Sequence, residues 1–395
     1  MTGTVFFRRA QHVVCYWDGP ALVFHNYATD RRTSGSPVLA RILARFDRWQ
    51  PPEALNDILP DAASGTRRAL LRRLVARSLL ERSDRRVPPR EKLLADWRDW
   101  NPAAGFFHFT TKDMVNVLPL AASERELRRK ARTIPMPYPT KSYPASVPLP
   151  LPAPKAHGEF TATLLARRTW RNFSTAPLTQ HEIGTLLALT WGIQRWGRAH
   201  GQGKVALKTS PSGGACHPGE VYLLALNVRN LRRGLYHYAP DRHVLERLRF
   251  RWTAGLIGRY LPMQPWFGKA AALFLMTVVF SRAQWRYPVA RAYRAVLLDA
   301  GHLCQTFCLT ATWLGLAPFC SMAFADSRIE KDLKIDGVGE SLIYVAGVGR
   351  RPEGGWRPLS SSGRTARRPT QRIALAELER SVALKHSPHR DARRI

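Results

Sequence analysis

Between Pro135 and Pro154 eight prolines fall within twenty residues. Proline fixes φ and carries no backbone donor, so neither a helix nor a central strand passes through this stretch. It reads as a linker, or as an extended arm laid across another surface. A chain of 395 residues is expected to form two domains in any case, and its 45% hydrophobic content supplies their cores and excludes global disorder. The expected division is an N-terminal module over 1–95, a connecting segment with the Pro-rich run over 96–155, a second domain over 156–355, and a basic tail over 356–395.

The N-terminal runs VVCYW and ALVFHNY flank Asp18-Gly19, a hairpin signal. Val38, Leu39, Ile42, Leu43 and Phe46 follow at helical spacing. A short segment over Pro52–Leu59 precedes a third helix, with Leu70, Leu71, Leu74 and Val75 inward and Arg67, Arg68, Arg72, Arg73 and Arg77 outward. Three helices and a strand-turn resemble a winged helix. Beyond the prolines, Thr179-Gln180-His181-Glu182 is a capping box. Val221–Val228 and GLYHYAP read as paired strands, Ala270–Phe280 and Leu342–Val348 as buried strands, and Ala292–Leu316 as the longest helix. The fold class expected is α+β.

Net charge is +32, and only 11 of 61 cations are Lys. Such a field favours an acidic peptide, nucleic acid or an anionic membrane, although an Arg-rich solvated surface reads the same way. The charges of MTGTVFFRRAQ come too early for a signal peptide, and the longest apolar run is too short to span a bilayer. Cys15, Cys216, Cys304, Cys308 and Cys320 have no CxxC spacing, and Cys304 with Cys308 reads as a pair of small buried hydrophobes. A cytoplasmic protein without a transmembrane segment is expected.

Four patches bear on chemistry. RRTWRNFS (Arg167–Ser174) offers guanidinium forks for a phosphate, or a solvated charge run. Ser212, Gly213 and Gly214 lie in a turn whose backbone can approach an anion or a planar ring. Trp285-Arg286-Tyr287, read as a loop, precedes the long helix. Tyr beside Arg suits general acid–base work, because a cation favours a charged phenol, whereas Arg itself stays protonated. AGVGRRP (Ala346–Pro352) ends a strand on two more Arg. Asp299, His302 and Gln305 form a polar ladder within the helix, either a core network or the wall of a site. No P-loop, HExxH, GxSxG or GxGxxG motif is present, and Asp299 and His302 lack a third ligand at metal spacing, so no metal is expected.

The order RRTWRNF, PSGGACHPGEVYLLA, GLYHYAP, WRYPVARAYRAVLLDAGHLCQ, GLAPF, DGVGESLIYVAGVGR resembles the FMN-dependent nitroreductase-like fold. Within it, the chain is similar to the SagB and thiazoline-oxidase type of peptide-maturation dehydrogenases, over roughly Lys155 to Pro352. The resemblance implies a nitroreductase-like sheet flanked by helices, and FMN in a homodimer. It implies phosphate and ribityl contacts from Arg167, Arg168 and Thr169, and a ring contact from Arg171. A loop against the cofactor falls on Pro211, Ser212 and Gly213, a backbone facing the ring on Met322 and Ala323, and a phosphate cation on Arg350. The implied activity is oxidation of azoline rings to azoles in a ribosomally made peptide, with a leader bound by the winged-helix-like module and a cyclodehydratase as partner. Relatives carry Lys-Tyr where this chain has Arg286-Tyr287, so Tyr287 is the expected proton-transfer residue and Arg286 its partner, with His217 and His302 as further bases. Asp299, His302 and Gln305 are read as structural. Two other readings stand: an NAD(P)H-dependent flavin reductase of small acceptors, and a winged-helix DNA-binding protein with a degenerate flavin domain. No specific nucleic acid is expected, since a protein this basic binds DNA weakly regardless.

Overall fold

The computed structural model describes residues 5–84, 93–113, 120–133, 158–199 and 203–356. The Pro-rich run and the tail beyond 356 lie outside the described residues.

The first region runs β1 (Phe7–Arg9), β2 (Val13–Asp18), β3 (Ala21–Asn26), β4 (Arg31–Ser34), α1 (Pro37–Arg45), α2 (Ser64–Ala76) and β5 (Leu80–Arg82), with a 3-10 turn over Pro52–Leu55. β2, β3 and β4 form an antiparallel meander, and Gly19 turns the β2–β3 hairpin at φ +56°. β1 pairs with β5, closing chain ends that lie far apart in sequence. Apolar spacing on α1 and α2 buries Ile42, Leu43, Leu71 and Leu74 with Phe7, Phe46, Leu55 and Leu80. Arg68, Arg72, Arg73 and Arg77 face solvent, as their outward spacing requires.

After α3 (Ala103–Thr110) and α4 (Leu120–Thr133) come α5 (Glu159–Ala166), α6 (Gln180–Thr190), the hairpin β6 (Arg195–Ala199) and β7 (Gly203–Leu207), β8 (Gly219–Ala225), β9 (Gly234–Ala239), β10 (Val244–Arg247) and α7 (Leu256–Tyr260). β11 (Ala272–Val279), α8 (Phe280–Arg286), α9 (Ala292–Trp313), β12 (Leu316–Ser321), α10 (Asp326–Leu333) and β13 (Glu340–Arg350) complete the described chain. Six strands form one antiparallel sheet in the order β10-β9-β8-β11-β13-β12. The apolar run at 270–280 thus becomes a central strand, as its even burial demands. α9 covers one face through Leu303, Cys304, Phe307 and Ala311, while Phe267, Phe319 and Ile329 fill the other. Among the described residues, no helix is long and apolar enough to cross a membrane.

Two local expectations change. Trp285 and Arg286, read as part of a loop, lie in helix α8, because Phe280 and Ala283 are buried one turn apart while Trp285 stays 70% exposed. The stretch expected only to connect domains packs, over 93–113, against the second one. Trp97 and Trp100 enter a core with Phe280, Tyr293 and Val296, and Tyr27 of the first region joins them. The Trp97 indole donates to Val338 O (2.9 Å) and the Trp100 indole to Tyr287 O (3.0 Å). Lys112 Nζ donates to both carboxylate oxygens of the buried Glu330, at 2.7 and 2.6 Å.

Candidate functional site

The Gly-rich turn between β7 and β8 is stapled to α9 from two heights. Ser212 Oγ donates to Asp299 Oδ2 (2.5 Å), and Gly213 N–H approaches Asp299 Oδ1 (3.4 Å). Two turns further along α9, Ser210 and Thr306 share a hydroxyl hydrogen bond (2.7 Å). His217 N–H then donates to Ser212 Oγ (2.9 Å), closing the turn on itself. Burial raises the Asp299 carboxyl above its usual range, although the Ser212 hydroxyl and Gly213 N–H act the other way. The ladder therefore divides. Asp299 is the buried anchor of the loop, whereas His302 and Gln305 are exposed.

Arg286 and Tyr287, at the end of α8, lie over this loop. Arg286 Nε–H donates to the Tyr287 hydroxyl (3.1 Å), and the guanidinium carbon sits 5.4 Å from the ring centroid. Gly214 has φ +62°, and a Cβ there would run into Arg286 and into the Tyr287 hydroxyl at 2.6 Å. Only glycine satisfies both the left-handed backbone and this approach. The structure thus brings Arg286, Tyr287, Ser212 and Gly213 together, with Pro211 beside them.

A small cavity behind the loop is lined by Lys208, Ser212, His217 and Asp299. Burial pulls the Lys208 amine down to about 8, with Glu220 opposing and Arg282 assisting. Burial, then the Lys208 charge, lowers His217 to about 4, so its ring is neutral at pH 7. Lys208 carried no signal in the sequence, since a single Lys at the end of a hairpin is ordinary. The unfolded lysine holds its proton up to about 10.5 and the folded one to about 8. Stability therefore rises between these values, where the unfolded chain binds more protons. Thermal melts should shift upward from pH 8 to 10.5, and Lys208→Met should flatten that rise.

The remaining site residues lie along β12, past its end, and at the end of β13, which pairs with the start of β12. Trp170 N–H bonds Pro318 O (2.9 Å) and Ser174 N–H bonds Arg350 O (3.0 Å), so the Arg167–Ser174 segment runs beside both strands. Thr169 O accepts from the Trp356 indole (3.0 Å). Arg168 turns back on the carbonyls of Leu165 and Arg167 (both 2.8 Å). Among the described residues, no side-chain hydrogen bond or ion pair engages the Arg167 or Arg171 guanidinium. Met322 is 60% exposed after β12, next to Ala323, whose N–H is held by Ser321 Oγ (3.0 Å).

Arg350 departs from the expectation of a phosphate cation. Its fork grips Glu182, at 2.7 and 2.9 Å, and its second arm also bonds Pro177 O (3.0 Å). Glu182 is simultaneously the capping-box residue of α6, accepting from Thr179 N–H (2.7 Å). The sequence placed this Arg at a strand end but could not reveal that α6 begins beside it. Burial tends to raise the Glu182 carboxyl, yet Arg350 and Thr179 hold it below the usual range. Such a carboxylate stabilises the fold above its unfolded pKa and loses this as pH falls through its folded value. Arg350→Gln should lower the melting temperature at pH 7, and the gap to the unchanged chain should close in acid.

Cys320 was also unforeseen. It reaches from β12 to Cys304 and Cys308 of α9, and the three sulfurs lie within 4.8 Å of one another. Hydrogen bonds with the Cys304 and Cys308 thiols lower the Cys320 pKa, whereas the neighbouring thiols and burial push those of Cys304 and Cys308 up.

Residues 164–350, which hold every one of these groups, match the family model described as "Nitroreductase family". That segment is a nitroreductase-like domain. Its α+β architecture agrees with the expected class. The domain is similar to "Putative nitroreductase MJ1384" of Methanocaldococcus jannaschii, 29% identical over 190 residues, covering 48% of this chain and 90% of that protein. It is also similar to the trifolitoxin-processing protein TfxB of Rhizobium leguminosarum bv. trifolii, 32% identical over 36% of this chain and 39% of that one. The microcin B17-processing protein McbC of Escherichia coli is 31% identical over 32% of this chain and 48% of its own length. The chain thus spans less than half the length of the two processing proteins.

Proposed function

We propose that this chain is a flavin-dependent oxidoreductase of peptide maturation, using FMN to oxidise azoline rings of a ribosomally made peptide to azoles. The observation that carries the reading is the meeting of Tyr287 and Arg286 with the Ser212–Gly214 turn, inside a nitroreductase domain similar to two peptide-processing proteins.

The residues present fit a flavin mononucleotide. Gly213 and Gly214 leave the turn without side chains, and the unengaged forks of Arg167 and Arg171 suit a phosphate dianion better than Arg350 does. Arg167, Arg168, Thr169 and Arg171 would hold the phosphate and ribityl end, while Pro211, Ser212, Gly213, Met322 and Ala323 would border the ring. FMN, when bound, supplies the two-electron acceptor. Tyr287 then handles the proton. Arg286 Nε–H donates to its oxygen and so fixes the hydroxyl at the turn, where it would exchange a proton with the ring being oxidised. Asp299 keeps Ser212 and Gly213 fixed while this happens. His217, neutral at pH 7, is a further proton acceptor beside the turn.

The N-terminal region is the proposed leader-binding, winged-helix-like module. Its exposed Arg68, Arg72, Arg73 and Arg77 suit acidic residues of a leader. A homodimer is supported by apolar side chains left open on α5 and α9, where Phe160 is 71%, Leu298 63% and Trp313 48% exposed. A cyclodehydratase would supply the ring-bearing peptide in a cytoplasmic reaction.

The test is to purify the chain with FMN and supply a cyclised precursor peptide. Flavin absorbance and loss of two hydrogens per ring are expected. A protein that takes up no flavin, or reduces small acceptors with NAD(P)H while leaving the peptide intact, removes the reading.

A further inference from the structure

Cys304 and Cys308 lie one turn apart on α9, so both thiols project from the same face toward β12. β12 answers with Cys320, and all three sulfurs fall within 4.8 Å of one another. A thiolate-bound ion sits about 2.3 Å from each sulfur and holds a trigonal set about 4 Å apart. The observed triangle is thus within about 1 Å of a ligand set before any ion enters.

We infer that Cys304, Cys308 and Cys320 form a three-sulfur site for a soft, thiophilic monovalent cation of the copper(I) class. Three thiolates with no oxygen or imidazole in the group select a soft ion over magnesium, calcium or manganese. Zinc prefers a fourth ligand, and among the described residues no His, Asp, Glu or further Cys joins the three thiols. Cys320 is only partly buried and provides the entry side. The Tyr344 hydroxyl donates to Cys320 Sγ at 3.4 Å, an outer contact that orients the ligand. Arg167 offsets part of the negative charge that three thiolates and one monovalent ion leave behind. Binding releases the thiol protons, so affinity grows with pH.

The test uses the full chain, reduced and kept anaerobic, titrated with copper(I) held by a chromogenic chelator and with no peptide present. One ion per chain is expected. Cys320→Ser and Cys308→Ala should each weaken binding at least about tenfold, since even outer-contact losses cost about 10–100-fold. A Cys15→Ser/Cys216→Ser double variant should bind as the unchanged chain does. Melting curves without metal report whether a variant still folds. If a buried substitution unfolds the chain, alkylation of Cys320 in the unchanged protein decides the matter, because bound copper(I) should slow it while leaving exposed Cys15 reactive. Absence of stoichiometric uptake, unchanged affinity in a folded Cys320→Ser variant, or unprotected Cys320 overturns the site.

Discussion

Tyr287→Phe is expected to lower peptide turnover by about 10²–10⁴-fold, the range that a positioned acid–base group contributes. Flavin content should stay unchanged, because the substitution removes one oxygen and leaves the ring beside Gly214. That separation of binding from turnover is what distinguishes a proton-transfer residue from a wall. Arg286→Lys gives the complementary measurement. It exchanges a guanidinium that cannot shed its proton for an amine that can, so a displaced pH–rate profile would mark the cation as part of the proton path. Equal turnover in Tyr287→Phe and the unchanged chain would eliminate Tyr287 from the mechanism.

The second large effect lies away from the chemistry. Trp97→Ala should cost about 3–5 kcal/mol of stability, the range for emptying a buried large aromatic position. Trp97 is 1% exposed, stacks edge-on against Phe280 at 4.7 Å between ring centroids, and donates its indole N–H to Val338 O. Its loss opens a cavity beneath α8 and orphans a carbonyl next to β13. Urea denaturation followed by circular dichroism measures the change. A loss below about 1 kcal/mol would mean that residues 93–113 do not belong to the same folding unit.

The contrast between Trp97 and the site explains what the sequence made readable. Elements with local rules were legible: the Thr179–Glu182 capping box, the Asp18-Gly19 hairpin, and the evenly buried run that became β11. So was the turn at Ser212–Gly214, because glycine and serine state their own backbone needs. Three features were not. The Arg350–Glu182 fork, the Asp299–Ser212 bond and the Cys320 approach each join residues between 12 and 168 positions apart. Nothing in the spacing of a single chain reports which side chains such closures bring together. α8 was misread for a related reason: seven residues with a basic, aromatic composition have weak helical periodicity, and it is tertiary packing on Phe280 and Ala283 that fixes them.

Gly214 has a consequence for how this site can change over evolutionary time. A left-handed backbone and two side chains pressed against the missing Cβ tie three positions to one another. A substitution at 214 meets a strained left-handed backbone and has to push the Arg286 side chain and the Tyr287 hydroxyl aside, so change there is favoured when 286 and 287 change with it. Drift here is correlated, so the turn and the end of α8 should be inherited as one unit, while neighbouring exposed positions such as Trp285 and Val289 vary independently.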